Sequence, residues 1–183
     1  MDALAELSAE QGYEATKISD IVKRAGVARK TLYDNFEGKE EVFLAAFDAA
    51  RDAVVERVEA SCAAVEGGWR EQVEAGLAAL LGYVAEEPSL ARMCVIEALS
   101  ATPATSKRYE DALQGFVEMA QSRAPRVERL PETVDETLVG GVAWIVHRQI
   151  RRGQTAAAED LLPELTEFMM TPYLGVVAGG ADE

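Results

Sequence analysis

The sequence predicts an all-α protein of about nine helices, with a small three-helix head, a linking helix and a larger helical body. Three observations carry this. Apolar residues recur with helical period through almost all of the 183 residues, and no β-branched run alternates as a strand would. Glycines and prolines fall between the periodic segments, where they end helices. Near the N-terminus, two short helical patterns are separated by a tight Gly-containing turn.

The first helix is expected over about residues 1–11, with Ala3, Leu4 and Leu7 inward, ending at Gly12. A second covers about 17–25, where Ile18, Ile21, Val22 and Ala25 follow the i, i+3, i+4, i+7 rule. Thr16 is its expected N-cap, since a threonine hydroxyl can accept a bond from an unpaired backbone N–H. Gly26-Val27 interrupts the pattern, and 28–36 resumes it for about two turns with Leu32 and Phe36 on one face. A longer helix is expected from about 38 to 65, broken by Gly67-Gly68. Further helices follow at about 70–86, 89–100, 104–123 and 132–152. They are separated at Glu87-Pro88, Thr102-Pro103 and the Arg123–Pro131 segment, and Gly153 ends the last of them. The ninth covers about 156–171 and extends toward 177. A kink or break is expected at Pro163 and at Pro172. The division is a head over 1–47, a regulatory and dimerisation body over 48–177, and a loose tail over 178–183.

Composition excludes several classes. No run of about 18 apolar residues suits a membrane span. Met1-Asp2-Ala3-Leu4 has no basic stretch leading into an apolar one, so a cytoplasmic protein is expected. Cys62 and Cys94 have no zinc-type spacing and one histidine, His147, to help them; buried reduced thiols are expected, with no metal or cofactor. No phosphate loop or nucleophile–base pair supports an enzyme.

The net charge of -14 argues at first against a nucleic-acid partner. Its distribution argues otherwise. Residues 17–39 hold Lys17, Lys23, Arg24, Arg29, Lys30 and Lys39 against Asp20, Asp34 and Glu37, a net of +3, whereas residues 48–183 carry -11. A basic window on an acidic body suits contact with DNA at one end.

That window coincides with the two short helices. In a helix-turn-helix the first helix crosses the sugar-phosphate backbone and the second enters the major groove. With Leu32 and Phe36 inward, Arg29, Lys30, Tyr33 and Asp34 are left outward. Arginine and lysine reach guanine acceptors or phosphates, and a tyrosine hydroxyl can bond a phosphate. Lys39 opens the next helix, where backbone N–H groups favour an anion.

The pattern Gly12-Tyr13-x-x-Thr16, Ile18-x-x-Ile21, Ala25-Gly26-Val27, Thr31-Leu32-Tyr33-x-x-Phe36 and Lys39-Glu40-Glu41 resembles the DNA-binding head of the tetracycline-repressor (TetR) family. The motif covers about residues 3–47; the rest of the chain is similar only in being helical and of suitable length. The resemblance implies a homodimeric repressor that reads a palindromic operator and is released by a small apolar ligand. It implies DNA contacts from Thr16, Arg29, Lys30, Thr31, Tyr33 and Lys39, with Tyr33 and Lys39 on phosphate and Arg29 and Lys30 on bases. Members carry a basic segment before the first helix; this chain opens inside that helix, so its start is misassigned, the chain is trimmed, or the arm is absent. Ala28 stands where the family favours a serine-like cap, a change worth about 1 kcal/mol of helix stability. Asn35 stands where an aromatic or histidine is common.

In the body, Met93, Phe116, Met119 and Trp144 are the expected lining of a ligand pocket, although bulky apolar residues are more often simple core. His147, near a helix C-terminus, reads first as a charge placed to suit the helix dipole. Gly140-Gly141 lies inside a helix, where each glycine costs close to 1 kcal/mol; close approach of a partner helix across a dimer axis is expected there. Two other readings stay open at this point: a regulator of the same fold without a small-molecule effector, and an all-helical enzyme or carrier.

Overall fold

A computed structural model describes residues 2–128 and 130–177, so the expected tail over 178–183 lies outside the described residues. The head consists of α1 (Asp2–Gln11), α2 (Ile18–Ala25) and α3 (Arg29–Tyr33), and α4 (Lys39–Ala63) links it to the body. The body comprises α5 (Trp69–Glu86), α6, α7 (Pro103–Arg123), α8 (Val134–Arg151) and α9 (Leu162–Val177). Helix α6 is composite: an α-helical Pro88–Arg92, a π-helical turn Met93–Glu97, and a final α-turn Ala98–Ala101. All regular structure among the described residues is helical.

Local chemistry sets the helix ends. Gly12 (φ 85°) and Gly26 (φ 68°) adopt the left-handed conformation that residues with a Cβ resist, and each terminates the helix before it. Pro88 and Pro103 open α6 and α7, where a missing N–H costs nothing. At α7 the Thr102 hydroxyl accepts the Thr105 backbone N–H (3.2 Å), and the Thr105 hydroxyl oxygen accepts that of Thr102 (3.0 Å).

Three expectations are revised. Helix α2 is capped at Lys17, whose backbone N–H is accepted by Asp20 (3.3 Å); Thr16 lies one residue earlier and is used elsewhere. The ninth helix starts at Leu162 after two short 3-10 turns, so Pro163 sits in its first turn and breaks nothing, while Pro172 lies inside it. The helix expected over 89–100 contains the π turn, which inserts extra residues into one turn and so rotates the faces of α6.

That rotation matters because α6 serves two cores. The head core is built from Leu4, Leu7, Tyr13, Ile21, Leu32, Phe43 and Phe47, and is completed by Met93 and Ala98 of α6. The body core joins α5, α8 and α9 through Leu81, Val142, Val146, Leu165, Met169 and Tyr173, with Ala91 of α6 in it. Between them, Val54, Val58 and Cys62 of α4 face Tyr83, Phe116 and Met119.

Candidate nucleic-acid interface and effector cavity

Helix α3 is anchored by Leu32, which is buried in the head core, and leaves Arg29, Lys30, Thr31 and Tyr33 exposed. Tyr33 is 45% exposed although aromatic. The Arg29 guanidinium lies 5.5 Å from its ring centroid and donates to its hydroxyl (3.3 Å), so the two side chains form one cationic plate. The helix begins at Ala28 without a side-chain cap, as its sequence requires. Asn35 donates to the Thr31 carbonyl (2.8 Å) and satisfies that carbonyl near the helix end.

The basic window sorts into three groups. Arg24 is paired with Glu6 (2.9 Å) and Glu10 (2.8 Å) of α1, and it holds the Glu10 carboxyl below the usual carboxylate range. Lys39 donates to the carbonyls of Tyr13 (2.8 Å) and Thr16 (3.0 Å), with its ammonium 3.9 Å from the Tyr13 ring centroid. Lys17, Lys23, Arg29 and Lys30 are exposed and have no carboxylate within 4 Å among the described residues. The exposed, unpaired cations of the basic window are therefore these four, out of the six that the sequence counts.

Thr16 differs from the other five residues expected at DNA. It is 1% exposed, and its hydroxyl donates to the Gly12 carbonyl (2.8 Å) inside the α1–α2 turn. Together with Lys39 it braces the loop that carries α2.

In the body, a cavity of about 230 Å³ lies among α4, α5, α6, α7 and α8. It runs along α4 from Phe47, which packs with Leu90 and Cys94 of α6, to Cys62, whose thiol donates to the Gln72 carbonyl of α5 (3.3 Å); Trp69 also lines it. Fifteen residues of helix separate its ends, about 22 Å at 1.5 Å per residue. Val58, Leu77 and Phe116 line it, and among the described residues its only charged lining groups are Arg51 and Arg123. Burial pushes the Cys94 thiol up to about 12 and raises that of Cys62, so both lining cysteines stay protonated.

Of the four expected pocket residues, Phe116 and Met119 line this cavity and the other two do not. Met93 is fully buried in the head core. Trp144 is 60% exposed on α8, stacked on His147 with ring centroids 5.5 Å apart. The close approach that Gly141 permits lies within the chain: a Cβ there would meet the Phe168 ring of α9 at 2.7 Å. A Cβ on Gly140 would meet nothing within 4 Å.

Sequence reasoning missed most of the cavity wall, including Val58, Leu77 and Tyr83. These residues repeat with ordinary core period and carry no separate signal. It also missed Glu97, whose carboxylate accepts the Tyr13 backbone N–H (3.0 Å) across the head–body boundary.

The head geometry, a braced turn followed by a short exposed basic helix, is that of a helix-turn-helix. Residues 1–46 match the family described as bacterial regulatory proteins, tetR family. In sequence, the chain is 34% identical over 95 residues to an uncharacterised HTH-type transcriptional regulator, YezE, of Bacillus subtilis. That stretch is 50% of this chain and 46% of the relative, so the likeness spans about half of each. The fold of the whole chain is similar to that of the fatty acid degradation regulator FadR from Bacillus halodurans, with TM-score 0.81, 18% identity, and coverage of 92% and 95%. It is also similar to FadR from Bacillus subtilis, solved in complex with stearoyl-CoA, with TM-score 0.77, 21% identity, and coverage of 92% and 94%. The match to the tetR family thus covers the head, and beyond the head the likeness to these regulators is one of fold. No helix among the described residues is long and apolar enough to cross a membrane.

Proposed function

We propose that this chain is a repressor that binds a palindromic operator as a homodimer and is released by an effector carrying a long acyl chain. The observation that carries the DNA half is the recognition surface: Arg29, Lys30, Thr31 and Tyr33 exposed on a helix fixed from behind by Leu32. Arg29 and Lys30 read bases and Tyr33 bonds phosphate. Lys39 has a third ammonium hydrogen left for phosphate after its two carbonyl bonds. Thr16 contributes to DNA binding by holding the turn.

The homodimer reading rests on α8 and α9, where Trp144, Phe168 and Leu174 are exposed and Gly140 offers open space. Apolar exposure of this kind on two neighbouring helices marks an interaction face. Two heads would bind successive half-sites about 34–36 Å apart.

The effector reading rests on the cavity, whose length and apolar wall suit an extended hydrocarbon chain. Its fold is similar to that of a regulator solved with stearoyl-CoA, which supports the choice of an acyl chain. Effector and DNA oppose each other if they favour different head separations.

A gel-shift with the promoter beside its own gene tests the whole reading. The expected result is a dimer complex that weakens steeply with salt and dissociates on addition of myristoyl-CoA. Arg29→Ala or Lys30→Ala is expected to blur base preference, and Tyr33→Ala to weaken all sequences alike. Absence of binding to this and neighbouring promoters overturns the repressor reading.

A further inference from the structure

The cavity wall is unusual for this chain. The protein has 32 acidic and 18 basic residues, yet no aspartate or glutamate lines the cavity and two arginines do. They stand at opposite ends and differ in what neutralises them. Arg51, at the Phe47 end, is paired with Asp48 (3.0 Å) and Asp52 (2.8 Å), and Arg108 shares Asp48 (2.7 Å). Arg123, at the Cys62 end, has no carboxylate within 4 Å among the described residues. One of its Nη atoms donates to the Met119 carbonyl (3.2 Å) and lies 3.4 Å from the Ser122 hydroxyl, and among the described residues no other side chain or carbonyl engages the guanidinium. The C-terminus of α7 offers it a partial charge of only about one half. A full positive charge therefore remains at one end of an otherwise apolar cavity.

A second unsatisfied group lines the same cavity. Trp69, which also lines the cavity, has its indole Nε1 buried with no hydrogen-bond partner. A buried donor without an acceptor is costly, and an indole N–H usually finds one. A lone cation and a lone N–H donor in the wall of one cavity are complementary to an oxyanion.

We propose that the cavity takes an amphiphile with an anionic head, held at the Cys62 end by Arg123 and the Trp69 indole N–H. Its apolar chain runs along α4 and ends against Phe47 and α6. The inference rests on the acyl-effector reading above and adds its polarity, its orientation and the residues that read the head. It also assigns the chain terminus, not the head, to the end of the cavity next to the DNA-binding domain. A carboxylate and the phosphates of a coenzyme A thioester share the required chemistry.

Calorimetric titration of the full chain with myristate, myristoyl-CoA and 1-tetradecanol tests this, because the three share one chain and differ in the head. At least one anionic ligand is expected to bind on the order of tenfold more tightly than the alcohol, as charge-assisted bonds imply; which one does so identifies the source of the anion. Arg123→Gln is expected to remove that advantage without changing the affinity for the alcohol, and Arg123→Lys to keep most of it. Arg51→Gln is expected to leave the advantage in place. Circular dichroism of each variant confirms folding, and Arg123→Lys serves as the second variant if Arg123→Gln does not fold. If the alcohol binds and Arg123→Gln preserves the anionic advantage, the head anchor is overturned and the acyl reading stands. If none of the three binds the wild-type protein, both are overturned.

Discussion

The backbone N–H of Tyr13 donates to Oε2 of Glu97 at 3.0 Å, joining the first turn of the head to the π turn of α6 across 84 residues. Tyr13 is buried, and its carbonyl in turn accepts Lys39. The α6 helix lines the cavity through Leu90 and Cys94 and completes the head core through Met93 and Ala98. The Glu97–Tyr13 bond is thus a polar tie between the two cores. Glu97→Ala leaves a buried N–H without a partner and is expected to cost about 1–3 kcal/mol, measured by urea denaturation. Glu97→Gln keeps an acceptor and is expected to cost less. Equal losses in the two variants would show that the hydrogen bond is not what stabilises this contact.

Lys39 predicts a split between stability and binding. Its ammonium serves the carbonyls of Tyr13 and Thr16, so Lys39→Ala is expected to lower stability by about 1–2 kcal/mol. Lys30 is exposed and unpaired, and Lys30→Ala is expected to leave the melting temperature unchanged while weakening DNA binding. Thermal melts of the two variants side by side check this, and equal melting temperatures would refute the bracing role of Lys39.

Gly141 and Gly140 are adjacent and are expected to behave differently. Gly141→Leu drives its side chain into Phe168 and is expected to destabilise the fold by about 1–3 kcal/mol. Phe168→Ala in the same chain is expected to recover part of that loss, a coupling that a double-mutant cycle measures. Gly140→Leu points into open space within the chain and is expected to leave the fold intact while weakening the dimer in sedimentation velocity. A fully dimeric Gly140→Leu protein would remove Gly140 from the interface.

His147 sets an expected pH dependence. Burial, and secondarily the charge of Arg151, lowers its pKa below the ordinary value of 6.5, and its Nδ1 is buried without a partner. The folded state therefore favours neutral imidazole, and the unfolded chain takes up a proton first as pH falls. Its contribution to stability is present above about pH 6.5 and is lost as pH falls through the lowered value, before most carboxylates titrate. Denaturation midpoints at pH 7.5 and 5.5 are expected to differ in that direction. The difference is expected to shrink in His147→Gln; an unchanged difference would assign it to other groups.

The head was legible in the sequence because its information is local. Ile18, Ile21, Val22 and Leu32 set the buried faces by helical spacing, Gly26 ends α2 through a conformation open to glycine, and the basic window falls on the exposed side. Four of the six residues expected at DNA lie together on α3. Which cations remain free was not legible, since Arg24 and Lys39 are neutralised or engaged by partners that only the packing of α1 and of the α1–α2 turn against them supplies.

The body shows the opposite balance. Its helices and their ends were readable within a few residues, because proline, glycine and capping threonine act on their own turn. The cavity was not. Phe116 and Met93 are similar in bulk and helical setting, yet one lines the cavity and the other fills the head core, because α7 packs against the cavity at Phe116 while α6 packs against the head at Met93. Gly141 faces an aromatic ring of its own chain, and Arg123 lacks the acid that Arg51 has. The sequence by itself determined the helix-turn-helix head, since that motif is written in short-range spacing and charge. Tertiary structure alone decided the cavity, its polarity and its tie to the head, since a void and an unpaired charge depend on how separate helices pack, which no single helix encodes.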